Sequence, residues 1–109
     1  MKNKKIGIIG AGTFGTTVAN LIAKNADVLI YAKYEEQVIN INERNINRGH
    51  IMAKNISATG KLDLLAAECD VIFPVVPSAA FRNLMQELSP FVGPGHIVIH
   101  GTKGLDANL

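Results

Sequence analysis

The chain has 109 residues, 48% of them apolar and 18% charged, with a formal net charge of +2. Those values fit one globular domain with a sizeable core and exclude two domains or a disordered chain. The small, scattered charge gives no basis for a nucleic-acid or membrane-surface partner, one cysteine cannot close an internal disulfide, and no apolar run nears the ~20 residues of a membrane span.

Lys2, Lys4 and Lys5 precede Ile6-Gly7-Ile8-Ile9, which resembles the start of a signal peptide. Glycines interrupt that run and polar Thr13 follows, so the expectation is a cytoplasmic protein with a basic lead into its first strand. Ile6 to Ile9 predicts a buried strand ending at a glycine. Thr13 to Asn25 carries Phe14, Val18, Leu21 and Ile22 on one helical stripe, with Asn25 as a stop signal. Val28 to Tyr31 predicts the second strand. Glu35 to about Arg44 predicts a helix with two acids at its positive end. Asn45 to Asn55 reads mostly as loop, Ile56 to Thr59 as a short strand, and Lys61 to Glu68 as a short helix. Val71 to Val76 predicts a buried strand. Pro74 is expected at its end, because proline cannot donate to a central ladder. Ser78 is predicted to cap a helix running to about Leu88, with Phe81, Leu84, Met85 and Leu88 on one face. Pro90 to Gly95 forms a turn, His96 to His100 a last strand, and Gly101 to Leu109 a loop. Apolar strands alternating with amphipathic helices predict an α/β fold: a doubly wound parallel sheet with helices on both faces.

Gly10-Ala11-Gly12-Thr13-Phe14-Gly15 is a G-x-G-x-x-G between a predicted strand and a predicted helix, the context in which it binds a dinucleotide. Gly10 would permit the tight turn, Gly12 the approach of a pyrophosphate, and Gly15 close packing of helix on strand. The helix N-terminus adds free N–H groups and partial positive charge. The plainer alternative is a glycine turn with no ligand.

NAD-binding units often carry an acid about 20 residues further on, at the end of the second strand. Here that stretch reads Tyr31-Ala32-Lys33-Tyr34-Glu35-Glu36. Asp27 comes too early, and Glu35 and Glu36 fall inside the next helix. Lys33 suits a 2′-phosphate and Tyr34 an adenine ring, which points to NADP, or to both cofactors. Two other strand ends carry polar residues: Val76-Pro77-Ser78 with Arg82, and Thr102-Lys103-Gly104-Leu105. Ser78 reads first as a helix cap, and Lys103 either as a loop lysine or as an anion contact. His50 and His96 read as loop residues, His100 as a structural residue on an apolar strand, and Cys69 as a small packing residue. Scattered histidines and one cysteine give no metal site.

Gly10 to Thr17, Ile56 to Thr59, Val76-Pro77-Ser78 with Arg82, and Thr102 to Leu105 occur here in one order and spacing. Together they make the chain, from about Lys5 to Leu109, similar to the bacterial NAD(P)-dependent glycerol-3-phosphate dehydrogenases. The resemblance implies an N-terminal Rossmann domain spanning residues 1–109, followed in the family by an all-helical catalytic domain that this chain does not include. It implies interconversion of sn-glycerol 3-phosphate and dihydroxyacetone phosphate by hydride transfer, in phospholipid precursor synthesis. It implies that Thr13 and Phe14 meet the cofactor phosphates, that Lys33 and Tyr34 meet the adenosine phosphate, and that Lys103 touches both cofactor and the small phosphorylated substrate. Tyr34 departs from the basic residue usual in the family. Asn47 to Met52 does not match the family's aromatic–leucine–proline segment, so no role is carried over there.

A hydride transfer from an alcohol needs a proton acceptor. None of the 109 residues is assigned that role, so the expectation is that this chain alone is inactive and that a face left open by a second domain promotes association. Two other readings stay open. One is the cofactor domain of another dehydrogenase, such as a ketopantoate reductase or a sugar-nucleotide dehydrogenase. The other is a non-catalytic NAD(P)-binding module.

Overall fold

A computed structural model of the chain describes residues 5–99. His100 and the stretch Gly101 to Leu109 expected as a loop, with Lys103, lie outside the described residues. The elements run β1 (Lys5–Ile9), α1 (Thr13–Ile22), β2 (Val28–Tyr31), α2 (Glu35–Arg44), β3 (Ile46–Asn47), β4 (His50–Ile51), β5 (Ile56–Thr59), α3 (Leu62–Glu68), β6 (Cys69–Pro74), α4 (Ser78–Leu88), a 3-10 turn (Ser89–Phe91) and β7 (Ile97–Val98). Five strands form one sheet in the order β5-β2-β1-β6-β7, with every neighbouring pair parallel. This is the expected Rossmann-type doubly wound sheet.

The sheet is buried on both faces because its central strands are apolar at successive positions. Ile8, Val28 and Ile30 point to one side, where they meet Ala19 of α1 and Ile41 of α2. Ile9, Leu29 and Ile72 point to the other, against Leu65 of α3 and Leu88 of α4. A residue-by-residue alternation thus feeds two cores. Gly7 sits where α3 comes closest to β1; a Cβ there would lie 3.0 Å from Leu65 Cδ2 and 3.2 Å from Cys69 Sγ. Cys69 is fully buried, and burial pushes its thiol up to about 11, so it is the inert packing residue expected.

Pro74 does end β6. The Val75 N–H donates to Ile9 O at 2.7 Å, so the alternation of a parallel strand turns position 74 toward β7 and away from the β1 ladder. Helix α1 and strand β7 are shorter than expected. Helix α1 stops at Ile22, where Asn25 and Ala26 both donate backward to Ile22 O instead of extending the spiral. Strand β7 holds only Ile97 and Val98, because His96 is bound in the preceding turn. Gly93 N–H donates to His96 Nδ1 (3.0 Å), so the proton lies on Nε2, which donates to Ala66 O (2.7 Å). Asn45 to Asn55 is mostly loop, as expected, but within it β3 and β4 pair as a short antiparallel hairpin that the sequence did not predict.

Asparagine side chains stitch that middle segment to α1 and the turn that follows it. Asn20 accepts from Ala53 N–H and donates to Ile51 O, and Asn55 donates to Ala23 O and Ala26 O. Asn42 closes the β5 edge: it accepts from Ala58 N–H at 2.8 Å and donates to Ala58 O at 3.0 Å. One side-chain amide therefore stands in for the next strand, which protects an otherwise open edge. Asn42→Ala is expected to cost about 1–2 kcal/mol, or roughly 4–15 °C in Tm, with no effect on nucleotide affinity. Thermal unfolding and a binding titration of the same variant check both halves.

No helix among the described residues is long and apolar enough to cross a membrane. Among the same residues no group of three or more His, Cys, Asp or Glu side chains could hold a metal.

Candidate functional site

The β1–α1 connection lies at the carboxyl end of the central strand, beside β6. There the chain's crossovers change face, and an open α/β sheet leaves a crevice at that point. The three glycines of the turn are required for three different reasons. Gly10 has φ +121°, and a Cβ on it would overlap the Val75 carbonyl oxygen. Gly15 is buried against the turn itself, where a Cβ would overlap the Gly10 carbonyl oxygen. Gly12 differs from both. Its backbone is ordinary extended (φ −80°, ψ −171°), and a Cβ on it would meet nothing within 4 Å. Neither conformation nor internal packing asks for glycine there. The space a side chain would fill is the space in front of the α1 N-terminus.

That terminus is open. Gly12 is the N-cap, no side chain caps the helix, and no acid stands in its first turn. The first N–H groups of a helix have no intrahelical partner. They face outward with the partial positive charge of the helix dipole, a setting that suits a pyrophosphate.

Two clefts meet at this point, sharing Gly12, Val76 and Pro77. The first, about 530 Å³, runs from Gly10 and Gly12 past Tyr31 to Lys33 and Tyr34, with Asn83 and Glu87 of α4 on the far wall. The second, about 400 Å³, is lined by Thr13, Phe14, Gly15, Val75 and Ser78. The structure thus brings together all the glycine-turn and second-strand residues singled out in the sequence; Lys103 lies outside the described residues. Tyr34 is 65% exposed and Phe14 51% exposed, so each offers an aromatic face at one end of the groove. Tyr31 is half-buried in the groove floor, where burial and the nearby Glu87 carboxylate raise its phenol above the ordinary value.

Ser78 is not the cap of α4. It is the first helical residue, and Pro77 (φ −57°, ψ 148°) holds the N-cap position with no side-chain bond. The extended proline already sets the entry angle, and Ala80 N–H bonds to the Pro77 carbonyl at 2.9 Å. Ser78 is thereby left on the wall of the second cleft. Arg82 lines neither cleft.

The sequence reading missed a hydrogen-bonded hub behind the turn. Asn47 is 2% exposed and donates both amide hydrogens, to Ala11 O at 2.9 Å and to Thr16 Oγ1 at 2.8 Å. Thr16 Oγ1 in turn donates to Gly12 O at 2.8 Å. Gln37 Nε2 bridges Asn47 Oδ1 and Ala11 O, each at 3.2 Å. The glycine turn is therefore fixed from behind by α1, α2 and the hairpin together. It also missed Arg48, which follows Asn47 and lines the first cleft with Lys33 and Tyr34.

A family model described as NAD-dependent glycerol-3-phosphate dehydrogenase N-terminus matches residues 5–109. The glycerol-3-phosphate dehydrogenase [NAD(P)+] of Geobacter metallireducens is 36% identical over 108 residues, 94% of this chain and 32% of that protein. The protein of the same description numbered 2 from Sphingopyxis alaskensis is 34% identical over 106 residues, again 94% of this chain and 32% of its own length. The crystal structure of glycerol-3-phosphate dehydrogenase from Coxiella burnetii shares the fold, with a TM-score of 0.79 at 23% identity over 88% of this chain and 31% of that one. This chain spans about a third of the length of the curated relatives it matches. By the match over residues 5–109, the chain belongs to the NAD-dependent glycerol-3-phosphate dehydrogenase family, as its N-terminal, NAD(P)-binding part.

Proposed function

We propose that this chain is the cofactor-binding portion of an enzyme that interconverts sn-glycerol 3-phosphate and dihydroxyacetone phosphate, with NADP(H) preferred over NAD(H). The observation that carries the cofactor reading is Gly12, a glycine required by nothing inside the protein and facing an uncapped helix N-terminus. When bound, the nicotinamide cofactor supplies the hydride donor or acceptor. The chain's own part is to hold it. The Gly10–Gly15 turn and the N–H groups of Thr13 and Phe14 cradle the pyrophosphate, Tyr34 stacks on the adenine, and Lys33 meets a 2′-phosphate. By resemblance, Lys103 contacts both cofactor and substrate. The alcohol proton is assigned to a group outside these residues, in a helical domain of the kind the family carries. Exposed Ile97 on the last strand and Ile99 just after it are the apolar side chains proposed for association there.

Calorimetric titration of the chain with NADPH and with NADH tests this. NADPH is expected to bind tighter, and Lys33→Ala is expected to weaken NADPH by about tenfold while leaving NADH nearly unchanged, because a charge-assisted contact is lost. Equal affinities in the parent chain would sink the NADP preference. Oxidation of NADPH by dihydroxyacetone phosphate with this chain alone would sink the assignment of the proton acceptor elsewhere.

A further inference from the structure

Resting on the NADP preference proposed above, we propose that Arg48 is a second 2′-phosphate-binding cation, delivered to the adenosine end of the groove by the β3–β4 hairpin. Arg48 borders the same cleft as Lys33 and Tyr34, and approaches it from a different element. Lys33 also borders a neighbouring depression against Thr59 and Lys61, whereas Arg48 is not among the residues lining it. A phosphate held between an ammonium and a guanidinium is recognised by shape as well as charge, since the guanidinium fork can meet two oxygens at once. Glu87 is the acid lining this cleft, on the far wall with Asn83. The Arg48 side chain is exposed and takes no hydrogen bond or ion pair among the described residues.

The backbone gives an independent reason. Arg48 and Gly49 are the two turn residues between β3 and β4, and both have positive φ, +52° and +80°. A two-residue hairpin turn of this kind favours Asn or Asp followed by Gly. The other non-glycine residue with positive φ among the described residues, Asn45 at φ +55°, is an asparagine. Arginine has no such ease there, and backbone strain of this sort collects where a side chain has work to do. The turn is also anchored at its root: Asn47, the preceding residue, is bonded to the Ala11 carbonyl of the glycine turn. The site of the pyrophosphate and the site of Arg48 are thereby held in fixed relation.

The test is titration of NADPH and NADH into the parent chain and into Arg48→Asn, Arg48→Lys and Lys33→Ala. Asparagine suits the left-handed turn, so Arg48→Asn should melt at or above the parent temperature. It should weaken NADPH by about tenfold, the effect of one lost charge-assisted contact, and NADH by less than about twofold. Arg48→Lys should fall between. If the parent prefers NADPH and Lys33→Ala loses that preference while Arg48→Asn keeps it, Arg48 has no such role and the NADP reading stands. An equal loss of both nucleotides in Arg48→Asn overturns the 2′-phosphate contact. If the parent shows no preference, or binds neither nucleotide, the NADP reading falls and this inference with it.

Discussion

Gly12→Val is expected to abolish measurable NAD(P)H binding while leaving the fold nearly as stable as the parent, whereas Gly15→Ala is expected to damage the fold itself. The difference follows from what each missing Cβ would meet. At position 15 it would overlap the Gly10 carbonyl oxygen, a backbone atom that cannot swing aside. Helix α1 would have to move off the turn, at a cost of about 1–3 kcal/mol or more, typical of overpacking. At position 12 the methyl groups point into open space, and the backbone angles are ones valine adopts freely. Losing a glycine N-cap is unfavourable by up to about 1 kcal/mol, and stiffening the unfolded chain returns about 0.4–1 kcal/mol. The two nearly cancel. The same methyl groups would stand where a pyrophosphate must approach the α1 N-terminus, so affinity should fall by about a hundredfold or more. Melting curves and titrations of the two variants decide the matter. A Gly12→Val chain that still binds NADPH tightly would remove the glycine turn from the cofactor site.

The reason Gly12 could be singled out from sequence is that its neighbours were legible. A β-branched run before the motif and a helical stripe after it are local patterns, and the structure reproduces both at β1 and α1. The same holds for Lys33 and Tyr34, whose position follows from where β2 ends. The hairpin is a different case. Its strands have two residues each, too short for any periodicity, and Arg48-Gly49 lacks the Asn-Gly signal of a tight hairpin turn. Its burial is also inverted. Ile46 and Ile51 are 40% and 81% exposed, while Asn47 between them is 2% exposed. Hydrophobic patterning assigns isoleucine inward and asparagine outward. Here hydrogen bonding to a distant backbone carbonyl decides instead, and that partner is 36 residues away in the chain. Arg48 was hidden for the same reason, since its place beside Lys33 depends wholly on the hairpin. Ser78 was misplaced by one residue because serine is the commoner cap, but the proline before it already had the extended backbone the cap position needs.

Asn47→Asp carries the second large expected effect, and its pH dependence distinguishes a buried hub from a surface asparagine. The change replaces Nδ2, which donates to Ala11 O and Thr16 Oγ1, by an oxygen facing the same two oxygens. Thr16 can turn its hydroxyl toward the new carboxylate, but only by abandoning Gly12 O. The Ala11 carbonyl has no proton to offer. Gln37 Nε2 still donates to Oδ1 at 3.2 Å, but a buried carboxylate with that one neutral donor and no cation beside it is expected to cost about 3–5 kcal/mol near neutral pH. Burial raises the folded-state pKa of the new carboxyl above its unfolded value of about 3.9. The folded state therefore holds its proton over a range where the unfolded state has lost it, and stability falls as pH rises through that range. The variant should be closest to the parent near pH 4 and furthest from it at pH 7. Asn47→Ala, which introduces no charge, should lose about 1–3 kcal/mol with no such added slope. Both should weaken NADPH and NADH alike, because the hub acts by holding the glycine turn and makes no distinction at the 2′ position. Chemical unfolding of the three proteins from pH 4 to 7.5 reads the slope directly. Parallel curves for Asn47→Asp and the parent would mean that the side chain at position 47 faces water, and the turn would then be held from behind by Gln37 and Thr16 without the hairpin.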